Sequence, residues 1–224
     1  VDGTLYLNAS MYLHSLPLAL SHLRLIRTLE AVRGELRRAP DATDDFHRVQ
    51  ARLVATHLGI TPERAYALVE ARVYTRWYRI FSKLRLFPDA ASTIASFQAA
   101  GLKIAFLSDF PIRQRLTDLG LPGPWDAAFS SEETHYLKPH PRPFEVLAER
   151  LGLPPGDILY VGNSYRYDVL GGTSAGMPVA HLTRRPRPDS QAVLSFSRYE
   201  SLKEFVFQSL ASSGYDAKTG RVPV

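Results

Sequence analysis

Apolar residues recur along this chain with two different periods, and the change between them divides it. From residue 10 to about 85 the period is that of a helix. Leu16, Leu20, Leu23 and Ile26 form one stripe, with Arg24 and Arg27 outside it, and predict a helix over 10–40. The run Arg38-Ala39-Pro40-Asp41-Ala42-Thr43-Asp44 predicts a break. A second helix is predicted from Asp45 to His57, with Phe46, Val49, Leu53 and Val54 inside and Gly59 as its stop. Thr61-Pro62-Glu63 reads as a helix start, with Thr61 as N-cap and Pro62 in the first turn. Tyr66, Val69, Val73, Trp77 and Ile80 then continue at helical spacing. No convincing strand falls between 10 and 85.

After Pro88 short apolar runs alternate with helical patterns. Strands are predicted at 103–108, 126–129, 157–162 and 178–182. Helices are predicted from Asp89 to Ala100, after Pro111 to about Leu119, from Phe144 to Leu151 and from Ser201 to Leu210, with a polar tail from Ala211. Such alternation is the pattern of a parallel sheet with helices on both faces. The opening stretch Val1-Asp2-Gly3-Thr4-Leu5-Tyr6 reads as the end of a further strand, with Asp2 at its C-terminal edge and Gly3 allowing a sharp turn. Only Val1 precedes Asp2, so an element that opens upstream of this sequence is expected. The helical block interrupts the alternation directly after that strand. The expected organisation is therefore a core of residues 1–9 and 86–224 with an inserted all-helical domain at 10–85.

Composition adds little to the fold and more to the chemistry. The 224 residues are 45% hydrophobic and 22% charged, ordinary values for a globular protein. There is no Cys, which excludes disulfides, thiolate metal sites and a Cys nucleophile. No apolar run has the length of a membrane span, and a cytoplasmic protein without a membrane partner is expected. The net charge of +5 suits anionic ligands. The clusters Arg24/Arg27, Arg33/Arg37/Arg38 and Arg184/Arg185/Arg187 are read as solvated helix faces and a loop. No nucleic-acid-binding pattern accompanies them. The His residues show no metal-ligand spacing, and His14, Arg72, Arg76 and Lys83 are read as surface charge rather than substrate contacts.

Four strand ends deliver polar residues toward one edge, where open α/β sheets bind ligands. They are Asp2 with Thr4, Ser108 with Asp109, the loop carrying Lys138, and Asn163 with Asp168. Acids, a hydroxyl and a lysine on successive strand ends suit a phosphoryl group with a divalent cation, because Mg²⁺ takes hard oxygen ligands and shares them with phosphate.

In this order the motifs resemble those of the haloacid dehalogenase-like superfamily of hydrolases, mostly phosphatases. Val1-Asp2-Gly3-Thr4-Leu5-Tyr6 is similar to its first motif without the leading Asp, and Leu107-Ser108-Asp109 to the second. Lys138-Pro139-His140-Pro141-Arg142-Pro143-Phe144 is similar to the third, and Val161 to Gly172 to the fourth. The resemblance implies an α/β fold, a Rossmann-like parallel sheet, with 10–85 as a helical cap that closes over it. It implies a Mg²⁺-dependent phosphatase acting on a small phosphorylated metabolite through an aspartyl-phosphate, with the nucleophilic Asp immediately ahead of Val1. Asp2 then corresponds to the general acid and base, and its main-chain carbonyl to a metal ligand. Ser108 and the N–H of Asp109 correspond to phosphate binders, and Lys138 to the cation that bridges nucleophile and phosphate. Asn163 stands where the family places a metal-binding Asp, which predicts weaker Mg²⁺ binding with Asp168 assuming more of the work. Two other activities compete. A metal-independent 2-haloacid dehalogenase is favoured by Asn163 and disfavoured by Asp2. A non-catalytic phospho-ligand-binding protein on a decayed phosphatase scaffold is favoured by both departures.

Overall fold

The computed structural model describes residues 1–38, 45–121 and 123–213, with the side chains of all these except 77–79 and 113. The break expected over Arg38–Asp44 falls almost entirely on residues outside that range, as does the Trp77 side chain.

The helical stretch predicted from residue 10 onward is two helices, α1 (Asn8–Ser21) and α2 (Leu23–Leu36), which part at His22 (φ −136°, ψ 34°). The cause lies in packing. Leu18 of α1 is buried with Tyr6, Ile80 and Phe81, whereas Leu25, Leu29 and Val32 of α2 are buried with Val54, Ala65, Val69 and Val73. One straight helix cannot face both clusters. Helix α3 (Phe46–Leu58) has Asp45 as N-cap, accepting from the N–H of Arg48, and ends on Gly59 at φ +69°. Helix α4 (Pro62–Val69) is capped by Thr61, as its sequence predicts. It passes through a π-helical turn (Glu70–Tyr74) into α5 (Thr75–Phe81). Tyr66, expected inside, is exposed: Ala65, Val69 and Val73 form the buried row of this segment.

Beyond it, α6 (Ala90–Ala99), β1 (Ala105–Ser108), α7 (Arg113–Asp118), β2 (Ala127–Ser130), a short 3₁₀ turn (Ser131–Thr134) and α8 (Arg142–Leu151) follow in order. Then come β3 (Tyr160–Gly162), a π-helical turn (Tyr165–Val169), α9 (Leu170–Ser174), β4 (Val179–Leu182), β5 (Leu194–Phe196) and α10 (Tyr199–Ser213). The last helix runs past Ala211, where a polar tail was expected, and β5 was not anticipated. Every strand pairing is parallel: β1 with β2, Ser108 opposite Ser130, and β3 with β4 and β4 with β5, Gly162 opposite His181.

Successive strand residues face opposite sides, and both sides are covered. Leu107, Phe129 and Val179 pack with Phe144 and Leu147 of α8 on one face. Ala180 and Phe196 pack with Phe97 of α6 and Leu202 of α10 on the other. The protein is thus an α/β fold with a Rossmann-like parallel arrangement and a block of helices ahead of it. One expectation fails locally. Residues 2–5 form a turn, with the N–H groups of Thr4 and Leu5 on the carbonyl of Val1, and not the end of a strand. Among the described residues the parallel strands pair in two pieces, β1-β2 and β3-β4-β5. Among the described residues no helix is long and apolar enough to cross a membrane.

Candidate active site

The opening turn is held from several directions. Tyr6 makes an isolated bridge with Leu86, the N–H of Phe87 donates to the carbonyl of Leu5 at 2.8 Å, and the Tyr199 hydroxyl donates to the carbonyl of Thr4 at 2.7 Å. Gly3 has φ +70°, and a Cβ there would collide with the side-chain amides of Asn8 and Asn163. That close approach brings the turn against the end of β3. Ser108 ends β1, Lys138 follows the 3₁₀ turn beyond β2, Asn163 follows β3, and Asp168 sits in the π-helical turn.

The polar residues read at the four strand ends converge here. The Ser108 hydroxyl donates to Asp2 Oδ2 at 3.0 Å. Thr4 Oγ1 donates to Asn163 Oδ1 at 3.3 Å. Lys138 Nζ lies 2.6 Å from Asp168 Oδ1, which also accepts from the Tyr160 hydroxyl at 3.2 Å. Asp168 Oδ2 accepts the N–H groups of Asn163 (3.1 Å) and Ser164 (2.9 Å). Asp109 Oδ1 accepts from the Ser131 hydroxyl at 2.7 Å and from the N–H of Lys138 at 3.3 Å. His181 Nε2 donates to the carbonyl of Asn163 at 3.2 Å and so braces the β3 loop from β4. His14, Arg72, Arg76 and Lys83 are exposed and none of them makes a recorded bond to this cluster.

Three partners were not visible in the motifs. Arg115 on α7 pairs with Asp2 Oδ1, to which the Tyr6 hydroxyl also donates, and its other terminal nitrogen lies 3.3 Å from Ser108 Oγ. Arg37, the residue that caps the C-terminus of α2, bonds Asp109 Oδ2 at 2.9 Å and the carbonyl of Lys138 at 3.1 Å. Arg33, one turn earlier, donates to the carbonyl of Asp109, stacks over Phe110 at 3.9 Å and pairs with buried Glu132. Arg33 and Arg37 therefore correct the reading of their cluster as a solvated face. A signal existed for two of the three. Arg33 stands one turn after Leu29 on the apolar side of α2, and Arg115 lies between Ile112 and Leu119 on the apolar side of α7.

The charges settle each other. Burial pushes the Asp2 carboxyl up, but the Arg115 guanidinium and the Tyr6 and Ser108 hydroxyls outweigh it and hold Asp2 far below the usual carboxylate range. Burial likewise disfavours charge on Lys138, yet Asp168 foremost, with Tyr160 and Asp109, raises it well above an ordinary lysine. Asp109 is lowered despite its burial, by Lys138, Arg37 and Arg33. The arrangement is a network of ion pairs in which Ser108 and Lys138 are buried and Asp2 is partly open to solvent.

As placed, these residues do not make a magnesium site. Both oxygens of Asp168 are saturated by four donors, and Asp2 is paired with Arg115. Toward a cation these residues offer the main-chain carbonyl of Asp2 and the neutral amide oxygen of Asn163, which also accepts from Thr4. Among the described residues no three acidic or His side chains gather around a point that could hold a metal.

Comparison with known proteins points one way. The model of a hydrolase family, the haloacid dehalogenase-like hydrolases, matches residues 1–176. A glyceraldehyde 3-phosphate phosphatase of Methanothermobacter thermautotrophicus is 35% identical over 100 residues, 43% of this chain and 44% of that protein. A phosphoglycolate phosphatase of Escherichia coli K12 is 33% identical over 101 residues, 44% of this chain and 40% of that protein. These matches thus span less than half the length of either relative. The crystal structure of a 2-haloacid dehalogenase from Pseudomonas syringae superposes with a TM-score of 0.67, covering 93% of this chain and 96% of that one at 18% identity, a likeness of fold alone.

Proposed function

Because this chain belongs to the haloacid dehalogenase-like hydrolase family, we propose that it removes the phosphoryl group from a small phosphorylated metabolite. The observation that supports this most is the meeting of residues from four distant segments in two hydrogen-bonded groups, Asp2 with Ser108 and Asp109 with Lys138 and Asp168, joined through the adjacent positions 108 and 109. The Ser108 hydroxyl and the N–H of Asp109 bind phosphoryl oxygens. Lys138, kept cationic by Asp168, neutralises the charge that grows on them in the transition state. Asp2 is the proton-transfer group. Ionised as it stands, it accepts a proton from water, and it donates one only after Arg115 releases it. The nucleophile is the carboxylate that the family resemblance puts one position ahead of Val1, attacking phosphorus to form an aspartyl-phosphate. Residues 10–85 act as a cap over the core of 1–9 and 86–224, with Arg33 and Arg37 as its hold on the Asp109 loop. Magnesium dependence rests on the family resemblance alone.

A second reading, a phospho-ligand-binding protein without turnover, is favoured by one observation: both acids expected to work, Asp2 and Asp168, are tied to cations. Phosphate release by the full-length protein, from a panel of small phosphate esters that includes 2-phosphoglycolate and glyceraldehyde 3-phosphate, with and without Mg²⁺, separates the two. Turnover is expected, and Ser108→Ala or Lys138→Met lowers it by about 100-fold. Ester binding seen by calorimetry without release of phosphate would replace the phosphatase with the binding protein. Halide release from a 2-haloacid would replace it with a dehalogenase.

A further inference from the structure

The guanidinium of Arg37, at the end of α2, is engaged on every side. Its Nε donates to the main-chain carbonyl of Lys138 at 3.1 Å, in the loop after β2. One terminal nitrogen donates to Asp109 Oδ2 at 2.9 Å, in the loop after β1. The other lies 3.4 Å from the carbonyl of Arg33 in its own helix. The flat face lies over the Tyr167 ring, 4.7 Å from its centroid, and Tyr167 directly precedes Asp168 in the turn after β3. One side chain of the helical block therefore touches all three loops that carry Asp109, Lys138 and Asp168.

Asp109 passes this hold on to the site. Its Oδ1 faces the core, taking the Ser131 hydroxyl at 2.7 Å and the N–H of Lys138 at 3.3 Å, and its Oδ2 faces Arg37. A carboxylate held at both oxygens cannot turn, so the main chain of residue 109 stays at a fixed distance from that of residue 138. Only a planar fork donates in three directions and stacks on a ring at once. A lysine in its place is a single point charge on a flexible stem. We infer that Arg37 is a positioning residue. Clasping the three loops, it sets the spacing between the N–H of Asp109 and the ammonium of Lys138, and the phosphoryl site is complete only while the end of α2 is docked on it. This rests on the phosphoryl-binding roles proposed above for Asp109 and Lys138.

Two variants of the full-length protein separate geometry from charge and from stability. Arg37→Met removes the clasp and the charge. Arg37→Lys removes the clasp and keeps a charge beside Asp109. Both are expected to weaken inorganic phosphate, followed by calorimetry, at least about tenfold, and to lower kcat/KM for the best ester of the panel by about 30-fold. Arg37→Lys nevertheless regains most of the unfolding midpoint that Arg37→Met loses, so function and stability part. Arg142→Met, which breaks exposed ion pairs on α8, leaves phosphate affinity and turnover unchanged. An Arg37→Lys protein that binds phosphate and turns over like wild type shows that charge alone matters and overturns the inference, as does an Arg37→Met protein with wild-type values. A wild type that binds phosphate but releases none from any ester removes the phosphatase reading and leaves this one to the phosphate affinities of the two variants. A wild type that does neither overturns both.

Discussion

Arg33 and Glu132 stand 99 positions apart in the chain and 2.6 Å apart in space, both shut off from water. Arg33 belongs to the helical block and Glu132 to the turn after β2, so this pair joins the two parts of the molecule beside the candidate site. Gln50 and the Tyr74 hydroxyl also bond to it, while Arg33 Nε and Glu132 Oε2 stay buried without a hydrogen bond. Arg33→Met leaves a buried carboxylate without its cation and is expected to cost about 3–5 kcal/mol. Combining it with Glu132→Leu removes the stranded charge and recovers at least half of that loss. Urea unfolding of both single variants and the double variant measures the coupling. Strictly additive losses would show that the pair does not act as a unit.

Arg37 and Asp109 give a dependence on pH. The Asp109 carboxyl is held below its ordinary value, so its contribution to stability is complete above the unfolded value of about 3.9 and is lost as pH falls through the lower folded value. Arg37→Met removes one of the cations responsible and is expected to destabilise by about 2 kcal/mol at pH 7. The difference from wild type shrinks toward zero in acid, where Asp109 is protonated in both. Unfolding midpoints followed from neutral pH downward through and below the unfolded value check this, and a gap that stays constant over the whole range contradicts it.

Gly162 closes β3 directly beneath Asp168. A Cβ there would overlap the Asp168 side chain, so Gly162→Ala drives that carboxylate off Lys138. Overpacking of this kind costs about 1–3 kcal/mol. The distinctive expectation is a Lys138 ammonium that loses its partner and titrates nearer an ordinary lysine, followed by NMR of the side chain. An unchanged titration would mean that β3 yields instead.

Asn163 leaves the position beside Gly3 without a negative charge. Asn163→Asp restores one and is expected to tighten Mg²⁺ binding roughly tenfold, since affinity follows the charge of the ligand set. Calorimetry with Mg²⁺ alone measures it. Equal affinity in both proteins would show that position 163 does not contribute to a cation site.

By itself the sequence determined the elements and the cast of the site. Helical spacing, the Asp45 cap and the Gly59 stop placed α3 almost to the residue, and the Thr61 cap placed the start of α4, because capping and chain reversal are local effects. The order of polar residues after apolar runs named Asp2, Ser108, Asp109, Lys138, Asn163 and Asp168, and the structure gathers all six. Only the tertiary structure decided which way faces turn and which charges meet. Leu16 and Leu20 have the spacing of a core stripe and point outward, because spacing sets which residues share a face and not what that face touches. Strand β5 forms because β4 offers it a parallel edge, a pairing that its three residues do not announce. Arg33, Arg37 and Arg115 carry the same chemistry as any surface arginine. Burial against Glu132, Asp109 and Asp2 makes them part of the site, and those partners come from segments tens to more than a hundred residues away.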